Sequence, residues 1–127
     1  MQYGFSRTVD SSFGKTIERV TEELKKEGFG VLTSIDVKDI FKKKLNIEFT
    51  RYVIIGACNP PLALTVLTSD IEAGLLLPCN IIVYEKEGRV VVSIFDPMTI
   101  VHVLEKSELR PIAEEVQKKL KRVLANV

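Results

Sequence analysis

The sequence predicts an α+β domain: a single, mostly antiparallel sheet of about five strands with two long helices on one face. Three observations carry this. The chain opens on a period-two run and closes on a period-3.6 stripe. A turn glycine, Gly88, joins two runs rich in Val and Ile, so the strands on either side of it are antiparallel. The remaining strands and helices do not alternate strictly enough for a doubly wound parallel sheet.

The elements follow in order. Tyr3, Phe5, Arg7 and Val9 fall on one side of the first segment, with Gly4, Ser6 and Thr8 on the other, as in a half-exposed strand. Asp10, Ser11 and Ser12 offer helix caps, and Phe13, Ile17, Val20 and Leu24 share one helical face. Gly28 stops that helix, predicted over 12–27, at a left-handed position. A second strand is expected over 29–35. Asp36 then caps a short helix whose apolar face is Val37, Ile40, Phe41 and Leu45. Lys42, Lys43 and Lys44 read as its solvated face, because a nucleic-acid patch brings more charge or stacking aromatics.

The nearly unbroken apolar run 51–58 belongs in the sheet interior. Asn59 is a preferred cap, and Pro60 and Pro61 suit a helix's first turn, so 62–68 is expected to be helical. A short turn follows from Ser69-Asp70 to near Gly74, then the apolar connection Leu75-Leu76-Leu77-Pro78. Strands over 79–85 and 89–95 flank a three-residue loop, Lys86-Glu87-Gly88. Asp96-Pro97 opens a short helical stretch. The last helix, over 111–126, buries Ile112, Val116, Leu120 and Val123, while Glu114–Lys118 and Glu115–Lys119 pair along its exposed side.

At 127 residues the chain fits one domain, 1–127. Its 46% hydrophobic content excludes a disordered charged tail, and a net charge of +1 provides no field to draw it onto nucleic acid or an anionic membrane. The first residues lack a signal-peptide core, and no apolar run reaches the roughly 18 residues of a membrane span. A cytoplasmic protein with reduced cysteines is expected.

Most catalytic signatures are missing. There is no Gly-rich phosphate loop, no G-x-S-x-G elbow and no Cys-x-x-Cys. The single histidine, His102, cannot build a His-rich metal site and reads as a packed or surface residue. The two cysteines stand out. Cys58-Asn59-Pro60 and Pro78-Cys79-Asn80 each place a cysteine before Asn and beside Pro. Cys58 ends one strand and Cys79 begins the next, so antiparallel pairing would bring both to one end of the sheet. A thiol just ahead of a helix N-terminus sees a positive dipole that favours the thiolate, which selects Cys58 over Cys79. The bland reading is that both are buried small apolar residues.

The stretches Tyr52-Val53-Ile54-Ile55-Gly56-Ala57-Cys58-Asn59-Pro60, Ala63, Gly74-Leu75-Leu76-Leu77-Pro78-Cys79-Asn80 and Val83-Tyr84-Glu85 resemble the domain of unknown function 302 family. Asp96-Pro97 and Gly28-Phe29 also fit, and the likeness spans essentially the whole chain. It implies a TATA-binding-protein-like fold (strand, helix, four further strands, helix) and homodimers. It supplies no activity. It does add weight to Cys58, Asn59, Pro60, Pro78, Cys79 and Asn80 as one site.

The expectation is a homodimeric binding or sensing module, with a pocket near Cys58 and Cys79 for a small ligand, a soft metal ion or a reactive sulfur species. Leu75, Leu76 and Leu77 would wall it, and Asn59 and Asn80 would supply amide hydrogen bonds. No cofactor, nucleic acid or membrane is expected. The N-terminal strand is the edge a second copy would cover. Two alternatives stay open: a thiol-dependent enzyme with Cys58 as nucleophile, which needs a base the sequence does not place, and a purely structural interaction module.

Overall fold

A computed structural model describes residues 2–127. The elements are β1 (Gly4–Val9), α1 (Phe13–Lys26), β2 (Gly30–Asp36), α2 (Val37–Leu45), β3 (Tyr52–Cys58), α3 (Pro60–Ser69), β4 (Cys79–Lys86), β5 (Arg89–Phe95), α4 (Met98–Leu104) and α5 (Arg110–Asn126). Short 3-10 turns occupy Ile71–Leu76 and Ser107–Leu109. The five strands form one open sheet in the order β1-β5-β4-β3-β2, and every neighbouring pair is antiparallel. This is the α+β arrangement the residues imply, and the short helices expected after Asp36, Asn59 and Asp96 are present as α2, α3 and α4.

Alternation along the central strands divides the sheet into two faces. Val53, Ile55 and Ala57 of β3, Cys79, Ile81 and Val83 of β4, and Val90, Val92 and Ile94 of β5 are buried in the core. Phe13, Val20 and Leu24 of α1 and Val116, Leu120 and Val123 of α5 join the same cluster. The stripe of α5 is wider than expected: Ala113 and Leu124 are buried, whereas Ile112 is only half-buried. Ser12 caps α1 by accepting from the Lys15 N–H, and Gly28 ends it at φ +83°. Arg7 points from β1 to the other end of the core, donating to the Leu124 and Ala125 carbonyls at 3.0 and 2.8 Å. The edge strand thus holds the open carbonyl end of α5.

One loop is shorter than the sequence suggests. Lys86 pairs with Arg89 inside the ladder, leaving only Glu87 and Gly88 in the turn, at φ 53° and 76°. Positive φ at both positions fits a two-residue hairpin that follows the strands' right-handed twist.

The other edge is unusual. Every residue of β2 is exposed, and α2, which follows it directly, has no fully buried residue. The apolar face of α2 is present and lies against β3, with Phe41 meeting Phe49 edge-on at 5.0 Å.

Candidate functional site: a thiol-lined cleft

Ala57 pairs directly with Cys79 across β3 and β4, so Cys58 stands at the same end of the sheet. Both sulfur-bearing residues line one cleft of about 280 Å³. Its walls are Leu32, Leu62, Leu67, Leu77 and Pro78. The expected leucine run contributes only Leu77. Ile71–Leu76 coils into a 3-10 turn, which leaves Leu75 87% exposed and packs Leu76 against the core.

The two thiols differ. Cys79 lies on the buried face of β4 at 2% exposure. Burial, and then the neighbouring Cys58 sulfur, pushes its thiol up to about 12. At neutral pH Cys79 is a protonated, apolar wall. Cys58 is half-buried, and of the two it is the cysteine more open to solvent.

The residues after Cys58 fold as their chemistry directs. Asn59 is the N-cap of α3, accepting from the Leu62 N–H at 3.1 Å, with Pro60 and Pro61 filling the first turn. The next amide, Ala63, donates to the Asn59 carbonyl at 3.0 Å. The first two positions have no N–H and the following two donors are already engaged. The helix therefore offers Cys58 its dipole and no free N–H in that turn. Asn59 is itself only 6% exposed, and with its side-chain oxygen committed to the cap it has only the NH₂ left for a ligand.

Asn80 does not join this cleft. It follows Cys79 in an extended strand, so its side chain emerges on the opposite face of the sheet. Sequence alternation carries that signal. The walls from Leu32 and Leu67 had no comparable signal, because they come from other elements and meet only in the fold.

No His, Asp or Glu lines the cleft, and His102 sits on the exposed side of α4. Among the described residues, no group of three or more His, Cys, Asp or Glu side chains gathers to hold a metal. A soft ion in this cleft would have the two sulfurs as its protein ligands. No helix among the described residues is long and apolar enough to cross a membrane.

One open, five-stranded antiparallel sheet with helices packed against it places the chain among α+β proteins. The sequence model described as "Domain of unknown function DUF302" matches residues 5–127, and the chain belongs to that family. Its structure is similar to the crystal structure of an uncharacterized conserved DUF302 protein from Bacillus stearothermophilus. The TM-score is 0.91 at 32% identity, over 99% of this chain and 98% of the other. A search among curated proteins finds no match.

Proposed function

We propose that the chain is a binding or sensing module that takes a small, soft ligand against the Cys58 sulfur, with the ligand's apolar part in the leucine-lined cleft. The observation that carries this reading is the unequal pair: a half-buried cysteine and a buried, protonated one lining the same apolar cleft. The cleft lining supplies no general base. That favours binding over nucleophilic catalysis, since a bound substrate would have to bring its own proton acceptor.

We further propose that the module works as a homodimer in the cytoplasm. The sequence points to β1 as the shared edge. The exposed apolar side chains instead favour the opposite edge: Leu32 of β2 is 62% exposed and Leu45 of α2 is 60% exposed, with Ile35, Ile40 and Ile47 beside them. A symmetric copy seated there would cover an unpaired strand and this apolar surface together. Because Leu32 also walls the thiol cleft, the copy would help close it.

Labelling with N-ethylmaleimide at pH 7.5, read by intact mass and peptide mapping, tests the thiol assignment. The native chain is expected to take one adduct, at Cys58, and Cys58→Ser none over the same interval. Both sulfurs should react once the chain is unfolded in denaturant. Native modification at Cys79, or equal rates at both positions, would overturn the assignment.

A further inference from the structure

The face of the sheet turned away from α1 and α5 is a walled trough. Ser6, Ser93 and Ile82 form one row across three strands, and Val91, Tyr84 and Tyr52 form the next. On one side stands Tyr3. On the other, Tyr52 stacks on Tyr84 with ring centroids 5.5 Å apart and an 18° angle between planes. Phe49 backs Tyr52 at 6.3 Å, and Phe41 backs Phe49, so this wall is braced by packed rings as far as α2. The trough holds about 410 Å³, and no charged side chain lines it. Within it, the Ser6 and Ser93 hydroxyls share a hydrogen bond of 2.6 Å, and the Asn80 amide is exposed. Burial, then the Tyr84 and Tyr3 hydroxyls, pushes the Tyr52 phenol up, which keeps this wall neutral at physiological pH.

We infer that this trough binds a neutral, planar, bicyclic heteroaromatic molecule with a hydrogen-bond donor and acceptor side by side on one edge. Each attribute follows from the lining. A flat π-system matches the offset stacking that Tyr52 and Tyr84 already show. Neutrality follows because an ion would be desolvated with no opposite charge to meet it. The donor–acceptor edge is the complement of a primary amide, and Asn80 presents a carbonyl and an NH₂ in one plane, with the hydrogen-bonded Ser6–Ser93 hydroxyl pair in the same lining. The volume lies at the lower end of the range for small-molecule sites, which suits two fused rings.

A second copy of the chain is a poorer occupant. Ile82, Tyr84 and Phe95 are only half exposed, whereas Leu32 of β2 and Leu45 of α2, at the opposite edge of the sheet, are 62% and 60% exposed. A flat protein surface would meet the rim and leave the floor unfilled. The site is separate from the thiol cleft, because Asn80 and Cys79 face opposite sides of the sheet.

The test is a ¹H–¹⁵N chemical-shift titration of the full chain with quinazolin-4(3H)-one, a neutral bicyclic lactam. Saturable shifts are expected at the Asn80 side-chain amide and at the backbone amides of β4 and β5 around it. Asn80→Asp, which removes the amide donor and adds charge, should weaken binding by about tenfold or more. Tyr84→Leu should do the same through loss of stacking. Both side chains lie off the core, so the fold should persist, and an unchanged amide spectrum away from the trough checks this. Cys58→Ser should bind like the wild type, which separates this site from the thiol cleft. The inference is overturned by absence of saturable shifts up to about 1 mM probe, or by shifts centred on the cleft. Undiminished binding by both trough variants, or equal binding of the 3-methyl analogue that lacks the donor, would also overturn it. So would probe-free, concentration-dependent shifts at the trough, which would show a second copy seated there.

Discussion

Cys58 and Cys79 are neighbours across one strand pair, yet the fold gives them opposite characters. Cys79 is raised from the ordinary 9.0 to about 12, chiefly by burial. Its folded-state proton is therefore held more tightly than its unfolded-state proton. The associated stability is complete below about pH 9 and is lost as pH rises from about 9 towards 12, at up to about 1.4 kcal/mol per pH unit. Urea unfolding of wild type and Cys79→Ala at steps from pH 8 to 11 isolates this effect, since other alkaline titrations are common to both. The wild type should lose stability relative to the variant as pH rises; parallel curves would contradict the burial of this thiol. At the residue scale the sequence was legible where it depended on neighbours in the chain. Asn59 as a cap and the prolines after it follow from local chemistry. The assignment of Asn80 to the cysteine site overlooked alternation, which sends the residue after Cys79 through to the other face.

At the scale of elements, Gly56 sets how β2 and the Leu77-Pro78 segment close around the cleft end of β3. A Cβ there would collide with the Thr33 hydroxyl and sit 2.9 Å from Pro78 Cγ. Gly56→Ala should therefore destabilise the fold by about 1–3 kcal/mol, and adding Thr33→Ala should recover part of that loss, because the proline contact remains. Thermal or urea unfolding of the two variants measures both effects, and an additive double variant would contradict the contact. The long helices, the apolar run of β3 and the β4–β5 hairpin were readable from period and capping, which act within each segment. The sidedness of α2 was not. Val37, Ile40, Phe41 and Leu45 mark an apolar face, but a pattern shows which face avoids water and not whether the fold provides anything to cover it. The Tyr52–Tyr84 stack was equally hidden, because it follows from the register that also sets Ala57 against Cys79.

For the whole molecule, the uncovered β2–α2 surface favours a second copy, and sedimentation or light scattering decides the matter. The dimer reading requires about twice the 14.3 kDa chain mass, falling to 14.3 kDa in Leu32→Asp with the far-UV spectrum unchanged. A wild type of 14.3 kDa at every concentration would remove it. The proposed function requires that Cys58 works together with an apolar cleft and is not merely an exposed thiol. Its most direct test is the rate of Cys58 modification by N-alkyl maleimides of increasing chain length, each measured against reagent concentration and against free glutathione. If the cleft binds the alkyl group before the sulfur reacts, the rate will saturate with concentration and half-saturation will tighten as the chain lengthens. A rate that stays linear in reagent and tracks glutathione for every chain length would contradict the account.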